Sequence, residues 1–231
     1  MSDVKNMTIE DARELVSDRH LWPRVRDFLW DFPPFIHASW LTGLKSEVQT
    51  LKSSPHVKRY ILDSLGVVPC FHTFPKDDFS RILLLDGATL ELIVKWLGAL
   101  ACAEPLRRVT DGATVRELKA TLSGVYPDVF GYTAYFRGGK ELDGLVSKCS
   151  GSAGAEGKLN GDFVIKVGYS LLSATVAHLP EPLLHRFGLK LPKAQTSQPP
   201  DFPTAKLPSQ STNLQLLLKL RFPEAYKTCC S

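Results

Sequence analysis

Apolar residues recur at three- and four-residue spacing along most of the chain, and this spacing predicts a mainly α-helical fold, a multi-helix bundle. Thr8 with Asp11 makes a capping-box-like start before Ala12, Leu15 and Val16, which predicts a short helix from Thr8 to about Asp18. Leu21 to Trp30 sets Trp22, Val25 and Leu29 on one side, with Pro23 tolerable in a first turn. Pro33 and Pro34 oppose a helix through "DFPPFIHASWL" (Asp31 to Leu41) and predict an extended segment there. Helical spacing resumes around Ser39 to Leu51 and around His56 to Leu65, ahead of the turn-rich "GVVPCFHTFPKDD".

The centre of the chain carries an internal echo. "DGATLELIVKWLGAL" from Asp86 and "DGATVRELKATLSGV" from Asp111 share their first four residues and place Leu97 and Leu122 at matching offsets. Each aspartate suits a helix N-cap, because its carboxylate accepts hydrogen bonds from the free N–H groups of the first turn. Pro105 is expected to end the first of these helices and Gly124 the second. A single pair of similar segments defines no period, so the two are read as consecutive helices of one bundle.

The stretch "YPDVFGYTAYFRGG" is compatible with a strand and with a helix from Asp128 to Phe136, and the helix is preferred. Ser147 to Asp162, small, polar and glycine-rich, has the composition of a flexible connector. Two further helical segments follow, "FVIKVGYSLLSATVAHL" with Phe163, Val167, Leu171 and Leu172 inward, and "PLLHRFGLKL" after Pro180 and Pro182. Pro192 to Thr212 carries five prolines among Ser, Thr, Gln and Lys, and reads as a linker. "NLQLLLKLRF" then resumes an apolar helix with Leu214, Leu217 and Leu218 on one face and Lys219 and Arg221 near its C-terminal end. The expected organisation is a single helical domain over residues 1–192 with a flexible loop at about 147–162, a proline-rich linker over 193–212, and a docked C-terminal helix and tail over 213–231.

Composition narrows the functional classes. In 231 residues, 44% are apolar, enough for a folded core. The formal charge of +4 comes from scattered basic residues and not from a stripe, which argues against a nucleic-acid partner. Asp3, Glu10, Asp11, Glu14 and Asp18 interrupt the first twenty residues, so no secretory signal is read there. The most apolar run, Ile82 to Ala103, contains Asp86, Glu91 and Lys95, which are costly in a bilayer, so no membrane insertion is expected. Five cysteines without paired spacing point to reduced thiols, and the terminal "CCS" lacks the prenylation box.

Sites for chemistry are scarce. Gly139-Lys140 and Gly157-Lys158 both fail the phosphate-loop pattern, since Glu141 and Leu159 follow them and Ala134 and Ser152 stand where the first glycine belongs. Cys70-x-His72 is a pair and not a metal-ligating set, although Cys102 or His56 would complete it if brought near. "GYSLL" around Ser170 lacks the second glycine of a nucleophile elbow, and its spacing puts the serine inside a helix. No cofactor, metal or catalytic residue is assigned. An uncharacterised small-molecule or metal-binding helical enzyme is the alternative reading.

Four segments resemble a known family. "FIHASWL" (Phe35 to Leu41) is similar to its aromatic-Ile-His-Pro-Ser-Trp-Leu element, with Ala38 in place of the proline. "LRRVTDGATVRELKATL" (Leu106 to Leu122), "LPEPLLHRFGLKLP" (Leu179 to Pro192) and "LLLKLRFPEA" (Leu216 to Ala225) follow in the same order. Together they resemble the cytoplasmic accessory proteins of bacterial type III secretion systems, the YscK/SctK family. The resemblance implies a helical, non-enzymatic adaptor of the sorting platform on the cytoplasmic face of the bacterial inner membrane. Its partners would be the cytoplasmic domain of an inner-membrane ring protein and the pod protein that carries the stator and export ATPase. Phe35, Ile36, His37 and Trp40, with Arg107 and Arg108, are the expected partner-binding residues: prolines restrain the backbone beforehand, and large rings and guanidinium groups anchor interfaces. His37 is read as a hydrogen-bonding hinge.

Overall fold

The computed structural model describes residues 21–42, 44, 54–68, 74, 80–135, 159–196 and 210–230. In chain order its helices are α1 (Trp22–Trp30), α2 (Ala38–Leu41), α3 (Pro55–Ser64), α4 (Gly87–Ala101), α5 (Ala103–Arg107), α6 (Gly112–Thr121), α7 (Gly161–Val176), α8 (Glu181–Leu189), α9 (Lys193–Thr196), α10 (Gln210–Arg221) and α11 (Pro223–Cys230). Short 3₁₀ turns occupy Pro33–Phe35, Ser80–Leu84, Asp128–Gly131 and Thr133–Tyr135, and the described residues contain no strand. The protein is mainly α. The helix expected over Thr8–Asp18, most of that over Ser39–Leu51, and Cys70, His72 and both Gly-Lys pairs lie outside the described residues.

The chain groups into two compact units. The first comprises Met1–Gly87, His178–Pro192 and Glu224–Ser231, and the second Ala88–Ala177 and Lys193–Pro223. Each unit gathers segments that are distant in the chain.

In the first unit α1 buries Val25, Phe28 and Leu29. Phe32, Ile61, Ile82, Leu83, Leu183 and Phe187 join them in the core. The Phe28 ring meets the edge of Phe32 at 5.5 Å and of Phe74 at 6.4 Å between centroids, an arrangement that ring quadrupoles favour.

In the second unit α4 buries Leu90, Ile93, Val94, Trp96 and Leu97, and α7 buries Val164, Val167, Leu171 and Leu172. Ser170 spends its hydroxyl on the Lys166 carbonyl 3.0 Å away, as an ordinary helical serine does. Leu214, Leu217 and Leu218 of α10 are buried as their spacing predicts. Asp111 caps α6, its Oδ2 accepting from the Thr114 N–H at 2.8 Å and the Thr114 hydroxyl at 2.7 Å. Asp111→Ala is expected to cost about 1 kcal/mol, read as a lower urea midpoint at unchanged denaturant slope.

Several boundaries differ from the sequence expectation. Pro33 and Pro34 do not hold an extended segment; they open a 3₁₀ turn, with Phe32 already at φ −67° and ψ −32°. The proline φ suits such a turn, and a first-turn residue has no helical partner for the N–H that proline lacks. The helix from Asp86 stops at Ala101 and not at Pro105, because a proline ring collides with the carbonyl four residues earlier, here that of Ala101. Pro105 instead sits inside the short α5. Of the helix expected over Asp128 to Phe136, Asp128–Gly131 and Thr133–Tyr135 form 3₁₀ turns and not one continuous helix, and Phe136 lies outside the described residues. The connector ends before Asn160, whose side chain accepts from Phe163 N–H at 2.8 Å and caps α7. The linker likewise yields one helical turn over the proline-free Lys193–Thr196 and gives way to α10 from Gln210.

Candidate partner-binding site

The element Asp31 to Leu41 is shaped by exchanges with α8. Arg186 in the last turn of α8 and Lys190 at its C-cap stand four residues apart and so share a face, yet both are buried, at 2% and 1% exposure. Arg186 donates from Nη1 to the Phe28 carbonyl and from Nη2 to the Val68 carbonyl, each at 3.2 Å. Its guanidinium lies 5.3 Å from the centre of the Phe32 ring. Lys190 Nζ donates to the carbonyls of Leu83 at 2.6 Å and Leu85 at 2.8 Å, and sits 4.8 Å from both the Phe28 and Phe35 ring centres. The last carbonyls of a helix or a 3₁₀ turn have no partner within it. Phe28 is in the last turn of α1, and Leu83 and Leu85 close the Ser80–Leu84 turn, so two cations from α8 supply donors that the local chain lacks.

The exchange runs the other way too. Carbonyls at and just past the C-terminal end of α8 receive His37 N–H at Leu189 and the Trp40 indole Nε1–H at Leu191, both at 2.9 Å. His37 in turn caps α2: its Nδ1 accepts from Ser39 N–H at 3.1 Å and lies 2.8 Å from the Ser39 hydroxyl. Ala38 is the first residue of α2, a position where a proline also fits, so the departure from the family element leaves the local backbone possible.

Burial sets the electrostatics of Lys190. Loss of water around the ammonium pushes its pKa down from 10.5 to about 7, with the Asp86 carboxylate opposing the shift. The carbonyl oxygens and aromatic faces around it are the partners a desolvated cation requires. From the sequence alone Arg186 and Lys190 receive no role. The available signal was their i, i+4 spacing within an apolar segment.

The expected partner-binding residues fall into both units. In the first, Ile36 is buried, while Phe35, His37 and Trp40 are half-buried and Pro34 and Ala38 exposed. Phe35 stacks on Phe32 at 6.3 Å with 29° between the ring planes. In the second, Arg107 and Arg108 at the end of α5 are exposed. Arg107 pairs with Glu104 at 3.1 Å, donates to the Thr133 hydroxyl at 2.7 Å and lies 5.6 Å from the Phe130 ring centre. At this exposure the ion pair orients the guanidinium more than it stabilises the fold. Among the described residues no group of three or more His, Cys, Asp or Glu is placed to hold a metal ion. Nor is any described helix long and apolar enough to cross a membrane.

Residues 25–126, a little under half of the chain, match the family model for YOP proteins translocation protein K (YscK). Comparison with curated proteins and with solved structures found no match. The matched stretch contains both "FIHASWL" and the Leu106–Leu122 segment, while Leu179–Pro192 and Leu216–Ala225 lie beyond it. Over residues 25–126, the chain is similar to the YscK family of type III secretion proteins.

Proposed function

We propose that the protein is a non-enzymatic adaptor of a type III secretion sorting platform, working at the cytoplasmic face of the bacterial inner membrane. It links the cytoplasmic domain of an inner-membrane ring protein to the pod protein and so supports secretion. The observation that carries this reading is the YscK match, which spans Phe35–Trp40 and Arg107–Arg108 alike. Phe35, His37 and Trp40 form one contact surface, with Ile36 anchoring it from the core. Arg107 and Arg108 form another, on the second unit. Rings and guanidinium groups held in place by neighbouring carbonyls and hydroxyls lose little entropy on binding, which suits them to an interface.

Co-purification with the two baits, the ring protein's cytoplasmic domain and the pod protein, tests the assignment. Folded protein at micromolar concentration is expected to retain at least one of them. Arg108→Glu, which alters an exposed side chain, is expected to keep the urea midpoint and weaken retention of a bait at least tenfold. Retention of neither bait by the folded native chain would refute the adaptor reading.

A further inference from the structure

Lys190 touches two rings that are held to different degrees. Its Nζ lies 4.8 Å from the centres of both Phe28 and Phe35. Two of the three N–H groups of the ammonium are taken by the Leu83 and Leu85 carbonyls. The third N–H and the charge are left to the ring faces, which are negative and attract a cation. Loss of one proton alters this side of the amine and spares the other. A neutral amine still has two N–H groups for two carbonyls, but it turns a lone pair towards the rings, and attraction there becomes repulsion.

The rings differ in their freedom to respond. Phe28 is buried to 1% exposure and meets the edges of Phe32 and Phe74. Phe35 is half-buried at the end of a three-residue turn, with Phe32 as its stacking partner. Ile36 to Trp40 follow it directly, so the seat of this ring bears on the whole element. The surrounding charges are few. Asp86 is the carboxylate whose charge acts on the ammonium. On α1, Asp27 and Asp31 are taken up by Arg26 and Lys58. The Pro33–Phe35 turn has no ionisable side chain, and His37 beyond it caps α2. Arg81 of the Ser80–Leu84 turn and Arg186 of α8 are arginines, whose charge is fixed.

We propose that Lys190 is a positioning residue for the Phe35–Trp40 surface: while charged it holds the Phe35 ring inward, and on losing its proton it lets the ring swing out to water. Burial sets the change near neutrality, since the folded lysine has a pKa of about 7. A ring fixed beforehand loses less entropy on binding, so capture of a partner through this surface weakens as the proton leaves. That consequence rests on the adaptor reading, and the movement of the ring does not.

The full chain labelled with 4-fluorophenylalanine and with 13C at the lysine ε-carbons reads both ends of the contact by NMR. The Phe35 fluorine, assigned by its absence from Phe35→Leu, is expected to show a larger D2O solvent-isotope shift at pH 8 than at pH 6, and Lys190→Met to abolish that difference. Coupling is reciprocal, so Phe35→Leu is expected to lower the titration midpoint of the Lys190 ε-carbon by about half a pH unit. Water entering in place of the ring would raise that midpoint instead, which separates the contact from mere packing. Phe35 is half-buried, so Phe35→Leu decides the matter even where Lys190→Met unfolds. Retention of a captured bait is expected to fall about threefold from pH 6 to pH 8 and to stay level in Lys190→Met; level retention by the native chain as well would overturn the link to capture. A Phe35 fluorine equally exposed at both pH values, or a Lys190 midpoint unmoved or raised in folded Phe35→Leu, would overturn the proposal. A chain that passes both NMR tests and captures no bait counts against the adaptor reading alone.

Discussion

Gly98→Ala and Gly168→Ala are each expected to destabilise the protein by about 3 kcal/mol, the upper end for overpacking a core. A Cβ at residue 98 would run into the Val164 carbonyl oxygen and lie 3.0 Å from the Gly168 nitrogen. A Cβ at residue 168 would run into the Val94 carbonyl oxygen and lie 2.8 Å from the Gly98 nitrogen. Every atom in the way belongs to the backbone, so no side chain can rotate to make room. Helices α4 and α7 would have to separate, loosening contacts along the whole crossing. Because one separation accommodates either methyl group, the double variant should lose clearly less than the sum of the two single losses. Gly112→Ala is the control: nothing lies within 4 Å of its new Cβ, and better helix propensity should leave stability unchanged or slightly raised. Urea midpoints followed by far-UV circular dichroism decide all four outcomes. Equal midpoints for Gly98→Ala and Gly112→Ala would contradict the crossing.

Lys190 should make stability rise with pH across the neutral range. Its folded pKa of about 7 lies below the unfolded value of 10.5. Between those values the unfolded chain holds a proton that the folded chain has released, so raising the pH favours the folded state. Burial of the charged ammonium thus costs most at pH below 7, and the cost falls away as the pH climbs through 7 towards 10.5. From pH 7 to pH 9 the gain is on the order of 2 kcal/mol. Lys190→Met removes this dependence and leaves the Leu83 and Leu85 carbonyls without their donor, at about 1–3 kcal/mol for each buried group. The native chain should therefore exceed Lys190→Met in stability most strongly at pH 9, with the gap narrowing by about 2 kcal/mol at pH 7. Urea titrations of both chains at pH 6, 7, 8 and 9 read that difference directly, since groups common to both cancel. A gap independent of pH would mean that Lys190 does not titrate in this range.

Local signals in the sequence were reliable where one turn of chain was enough to satisfy them. Asp111 caps α6 because its carboxylate reaches an N–H three residues on, and the leucines of α10 face inward because their spacing leaves them one apolar stripe. The prolines at 33, 34 and 105 were correctly seen as interruptions, but their effects were misplaced. Proline forbids particular hydrogen bonds and does not by itself choose between an extended segment and a 3₁₀ turn.

The element Phe35–Trp40 was conspicuous for its rings, whereas the residues that hold it were not. Its N–H groups end on carbonyls at Leu189 and Leu191, more than 150 positions away. The carbonyls that accept from Lys190 lie over 100 positions before it. A charge in an apolar segment looks like a solvent contact until those acceptors are brought alongside. Gly98 and Gly168 are similar, since a glycine inside a helix shows its purpose only when another backbone presses against it.

By itself, then, the amino-acid order determined that this chain is helical, where most of its described helices run, which faces are apolar and that Asp111 caps α6, because such preferences are settled between residues three or four apart. The tertiary structure alone decided that Arg186 and Lys190 are buried donors, that α4 and α7 meet at bare backbone, and that α10 lies on its own chain. Each of those outcomes depends on removing water from groups that are distant in sequence, and the energy of a desolvated cation, carbonyl or glycine exists only once its partner has arrived.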